Sequence, residues 1–109
     1  MTTNTQRTYN IELAGRVGIP QAVLIEHIAS EIRAGDPERT HTTDGGGTYT
    51  RGSLDLLADQ LPEVGGYNIR RYVVALTGAG YLVRMLRPRR HGRESWYGTG
   101  PRAEPYVQK

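Results

Sequence analysis

Residues 66–86 read GYNIRRYVVALTGAGYLVRML, and the change of hydrophobic period inside this stretch decides the fold. Ile69, Tyr72, Val73 and Leu76 recur at helical spacing and leave Asn68, Arg70, Arg71, Val74 and Thr77 facing outward. Gly78 and Gly80 are placed to stop that helix. From Tyr81 the period drops to two: Tyr81, Val83 and Met85 alternate with Leu82, Arg84 and Leu86, as in a strand. Pro88 to Gly92 predicts a turn, and Glu94 to Gly98, around Trp96 and Tyr97, a return strand. A helix therefore runs directly into a hairpin.

Upstream, Ser53 suits the cap of a two-turn helix carrying Leu54, Leu57, Ala58 and Leu61 on one face, closed by Pro62. Thr48 to Thr50 is short and β-prone. Gly35 to Gly47 holds Pro37, Asp44 and three consecutive glycines, and is expected to be a loop. Asp44 to Gly47 lacks the lysine and following helix of a phosphate-binding loop. Earlier still, Pro20 opens a helix with Leu24, Ile25, Ile28, Ala29 and Ile32 inward, which Gly35 ends; a shorter helix, Ile11 to Val17, precedes it and stops at Gly18. One domain is expected over 9–99, between a flexible N-terminal arm (1–8) and a flexible tail (100–109) containing Pro101 and Pro105.

The chain has 109 residues, one domain's worth, and 37% hydrophobic residues plus 14 glycines suffice for a folded core. With no cysteine, disulfides, thiolate catalysis and cysteine-ligated zinc are excluded. His27, His41 and His91 fall in three different elements without metal-ligand spacing, and no Ser/His/Asp or paired-carboxylate arrangement is visible. Neither catalysis nor a cofactor is expected. No apolar run reaches the ~20 residues of a bilayer span, and the polar start has no signal-peptide core, so the expectation is a cytoplasmic protein with no membrane partner.

The net charge of +3 conceals an asymmetry. Residues 1–66 carry five Arg against nine Asp and Glu; residues 67–109 carry eight Arg and one Lys against two Glu. A basic half of this density faces something anionic, most often nucleic acid. The element order (helix, short strand, helix, tight turn, helix, strand, basic turn, strand) is that of an α+β winged helix-turn-helix, with a three-helix core, a short strand and a C-terminal hairpin wing. There the third helix of the core enters the major groove and the wing reaches the backbone beside it. The cations sit where that geometry uses them: Arg70 and Arg71 on the helix, and Arg87, Arg89, Arg90 and Arg93 around the hairpin turn.

Several stretches resemble one group of winged helices. Asn10-Ile-Glu-Leu-Ala-Gly-Arg-Val-Gly18 followed by Gln21-Ala22 is similar to an opening "NIELAKKIG…EA"; Asn68-Ile-Arg-Arg71 with Leu76 and Gly80-Tyr-Leu82 resembles "TIRR…L…GLL"; Trp96-Tyr97 matches a "WY" on the last strand; and Tyr49-Thr50 falls where the family's first strand ends. These belong to the replisome-organiser and DnaD-like N-terminal domains of phage and plasmid replication modules, and the likeness covers about residues 9 to 99. The family's serine cap of the recognition helix is Gly65 here. The resemblance implies duplex-DNA binding in replication initiation or transcriptional regulation in a bacterial host cell. Asn68, Arg70, Arg71 and Val74 would lie on the reading helix, Arg87, Arg89, Arg90 and Arg93 on the wing, and a homodimer would be in keeping. Tyr72, Trp96 and Tyr97 read as packing residues rather than base-stacking platforms. A second reading is a protein-binding winged helix, a mobile-element inhibitor or adaptor docking on a host or replisome nucleoprotein complex, such as an anti-defence protein. Its motive is Val74, apolar and outward where the family usually carries lysine.

Overall fold

The computed structural model describes residues 9–45, 47–52, 54–62, 64–89 and 92–107. The expected arm, residues 1–8, and the expected cap Ser53 lie outside them. Helix α1, Ile11–Val17, opens on Asn10, whose Oδ1 accepts from the Leu13 amide at 3.0 Å and satisfies one of the amides a helix start leaves unpaired. Gly18, at φ 100°, separates it from α2, Ile19–Ala34, which has Pro20 in its first turn. Helix α2 buries Ala22, Val23, Leu24, Ile25, Ile28 and Ala29 and is the centre of the core; Gly35 ends it in the left-handed region, at φ 66°.

The expected 35–47 loop is in part a strand. Strand β1, Thr40–Thr42, pairs antiparallel with β2, Thr48–Arg51, and the Thr43 amide closes the turn on the Gly47 carbonyl at 2.8 Å. Thr-His-Thr is β-prone but too short and polar to alternate visibly, so the surrounding glycines dominate its reading.

Helix α3, Leu54–Gln60, and helix α4, Gly66–Ala79, follow. Leu57, Leu61 and Val64 bury against Ile69, Val73 and Leu76, the stripe the period marks. Gly65, at φ 87°, stands at the N-cap of α4 with no side chain to offer. Gly78 does not stop α4; Gly80 does, at φ 89°, with its amide turned to the Leu76 and Thr77 carbonyls. Strands β3, Leu82–Arg89, and β4, Gly92–Thr99, form an antiparallel hairpin that starts one residue later than expected and runs into the expected turn, with Pro88, Arg89 and Gly92 in the strands. The antiparallel sheet has the order β1-β2-β4-β3, with Thr50 opposite Tyr97 and Arg51 opposite Trp96. The described chain is thus an α+β fold in which α2 packs on β2 and β4, and α4 on β3.

The expectation of a loose tail does not hold for 100–107. The Gly100 amide donates to the Tyr81 carbonyl at 2.9 Å and the Arg102 amide to the Gly80 carbonyl at 3.1 Å. Ala103 and Val107 are core residues, and Tyr106, in a 3-10 turn over Glu104–Tyr106, packs against them. These few apolar contacts have no periodicity and are interrupted by Pro105, which is why the sequence conceals them. Among the described residues no helix is long and apolar enough to cross a membrane.

Candidate nucleic-acid interface

From Val64 to Arg93 the chain carries no acidic residue. The ion pairs among the described residues, Arg33–Glu26, Arg39–Glu31 and Arg51–Glu94, use none of the arginines of α4. The charge of Arg70 and Arg71 is therefore not cancelled by these pairs.

Arg70 and Arg71 are both exposed, but adjacent helical positions diverge by ~100°, and the two end in different surroundings. The Arg71 guanidinium lies 5.6 Å from the centroid of the Tyr67 ring and 5.5 Å from that of Tyr72, and its Nη2 donates to Asn68 Oδ1 at 3.0 Å. Asn68 in turn donates through Nδ2 to the Val64 carbonyl at 3.1 Å, so this half-buried residue braces the start of α4. Tyr67, four positions before Arg71 and 80% exposed, was missed on sequence, although the i, i+4 spacing of a tyrosine and an arginine on one helix face was there to read. Arg70 stands apart, with Val74, 68% exposed, one turn further on.

Arg70, Val73, Val74, Thr77 and Gly78 of α4, with Arg84 of β3 and Tyr97 of β4, line an open groove of ≈ 380 Å³. None of its lining residues is acidic. Thr77, expected outward, is half-buried, and its Oγ1 is shielded from solvent with no hydrogen-bond partner. Arg84 was not singled out on sequence. The signal that finds it is the hairpin register: Arg84 sits opposite Tyr97, on the face turned to α4.

The same register divides the wing arginines. Because side chains alternate along a strand, the pairs Arg84–Tyr97, Leu86–Ser95 and Pro88–Arg93 share one face, and Met85–Trp96 and Arg87–Glu94 the other. Arg93 is exposed on the groove's face. Arg87 is half-buried on the opposite face, its guanidinium 4.7 Å from the centroid of the Trp96 ring, where it and the edge of His41 cover the indole. Of the four cations expected as one patch, Arg87 and Arg93 thus lie on opposite faces, with Arg87 in a packing role. Arg89 enters through its backbone register with Gly92, and Arg90 lies outside the described residues. Trp96 and Tyr97 are both buried, on opposite faces, as packing residues.

A larger cavity, ≈ 590 Å³, lies between the end of α2, β2 and the C-terminal segment, but its charges are engaged: Glu104 accepts from Thr99 Oγ1 at 2.7 Å and Arg33 pairs with Glu26 at 2.7 Å. Among the described residues no cluster of His, Asp or Glu could hold a metal ion. No family model, no curated protein and no solved structure matches the chain.

Proposed function

We propose that the chain is a winged helix-turn-helix protein that binds duplex DNA, with α3 and α4 as the motif, α4 as the reading helix and the β3–β4 hairpin as the wing. The observation that carries this reading is the groove without an acidic lining residue that Arg70 of α4 and Arg84 of β3 share, with Arg93 exposed on the same face of the hairpin. The order β2-β4-β3 supports it, since the strand ahead of the motif joins the hairpin through β4 and holds the hairpin beside α4. In this mechanism Arg93, with Arg89 and Arg90, anchors phosphates, Arg70 reaches the backbone from α4, and Arg71 reads base edges. The flanking rings hold the Arg71 guanidinium in place, which suits the in-plane donor pair that guanine O6 and N7 accept. By the sequence resemblance, the setting is replication initiation or transcriptional regulation by a phage, plasmid or integrated element in the cytoplasm of a bacterial host.

A second reading rests on a specific observation: Tyr67, Val74 and Leu86 are exposed large apolar residues on or beside the same surface, which suits docking on a host protein. One experiment separates the two. Arg71→Ala is expected to relax preference at one or two base positions, by ~1 to 3 kcal/mol of discrimination, and Arg70→Ala to weaken binding to all duplexes alike, each with melting nearly unchanged. Val74→Lys is expected to strengthen duplex binding. Arginine variants with native DNA binding, together with a Val74→Lys variant that loses a host-protein partner, would transfer α4 to the protein-docking reading.

A further inference from the structure

The groove between α4 and the hairpin holds two arginines that the ion pairs of the described residues do not use, and its floor is mostly apolar. We infer that it seats one stretch of DNA sugar–phosphate backbone, with the Arg70 and Arg84 guanidinium groups as its cationic walls. This inference rests on the duplex-DNA reading and assigns a binding site to Arg84.

Arg84 Nε donates to Ser95 Oγ at 3.0 Å, which fixes the plane of the guanidinium and leaves its terminal Nη groups to an incoming anion. An oriented guanidinium suits phosphate because its donors match two oxygens at once. Arg70 supplies the second charge from α4. Between them Val73, Val74, Gly78 and the ring of Tyr97 make a mostly apolar floor, to which Thr77 adds one hydroxyl without a partner. A free phosphate would use the walls and leave this floor against water. A deoxyribose carries a phosphate on either side and presents an apolar ring face between, so backbone meets both demands. Gly78 leaves that approach open, for a Cβ added there meets no atom within 4 Å. It lies inside α4 and has no positive φ, so a larger side chain can enter the groove without straining the helix.

The test is the affinity of the whole chain for a random-sequence duplex over a salt series. It compares the native protein with Arg84→Ala, Ser95→Ala and Gly78→Leu, and the melting temperature of each is recorded. Arg84→Ala is expected to flatten the slope of log K against log salt by about 1, an affinity loss of about 8-fold at ~0.1 M salt. Ser95→Ala is expected to keep the native slope with weaker binding, since the charge remains and only its orientation is lost. Gly78→Leu is expected to bind at least about 10-fold more weakly while melting at or above the native temperature, because glycine is the poorer helix former. Native slope in Arg84→Ala, with native affinity in Gly78→Leu, would overturn the groove assignment while Arg70→Ala and Arg93→Ala still weakened binding. A native protein without salt-dependent binding would instead overturn the duplex reading itself.

Discussion

Replacing Arg70, Arg84 and Arg93 together by alanine is expected to lower duplex affinity on the order of 10²- to 10³-fold at ~0.1 M salt and to flatten the salt slope by about 3. Each phosphate contact releases condensed counterion and adds ~0.9 to the slope, and near 0.1 M that alone corresponds to about 8-fold per contact. The three residues belong to different elements, Arg70 and Arg84 lining one groove and Arg93 on the same face of the hairpin, so their losses should add in the logarithm. Arg87→Ala is the matched contrast. It removes the same formal charge from the same hairpin, but from the face where that guanidinium covers Trp96. It should leave the slope near native and act on stability, through a cation–π contact worth ~0.5 to 2 kcal/mol. Equal slopes for Arg87→Ala and Arg93→Ala would mean that the two faces of the hairpin do not differ toward DNA. Binding isotherms over a salt series, with thermal melts beside them, read both quantities.

Gly100→Ala is expected to destabilise the fold by roughly 2 to 4 kcal/mol, lowering the melting temperature by about 10 °C or more. A Cβ at this position would stand 2.8 Å from the Gly80 carbonyl carbon and 3.0 Å from that of Tyr81. Both neighbours are backbone, and no rotamer change relieves the overlap. To make room, the chain would have to loosen the bonds from the Gly100 amide to Tyr81 and from the Arg102 amide to Gly80, and Gly80 is the residue that ends α4. The C-terminal segment therefore fastens the junction between α4 and β3, the corner that sets the helix beside the hairpin. Thermal unfolding checks it; a native melting temperature would mean that 100–107 contributes little to the junction.

That segment also marks where reading the sequence stops working. The helices were legible because Leu24, Ile25 and Ile28, and again Ile69, Val73 and Leu76, repeat at a period that only a one-sided helix explains. The hairpin was legible from the alternation after Tyr81. Ala103 and Val107 belong to no period; their burial depends on where Gly100 turns, which is a tertiary fact. Strand β1 is three residues whose strand character comes from pairing with β2. At the candidate site, the sequence supplied the basic charge and its place on α4 and the hairpin but not its direction. Arg87 and Arg93 look equivalent until the register puts one opposite Glu94 and the other opposite Pro88. Arg84 lay unremarked in a strand because its value comes from α4 standing beside it.

The most direct measurement of the central claim is the affinity of the unmodified chain for duplex DNA as a function of salt. If each protomer neutralises ~4 to 6 phosphates, log K should fall against log salt with a slope of about −4 to −5. A slope near zero, or no binding at low salt, would contradict the claim that this basic face binds DNA.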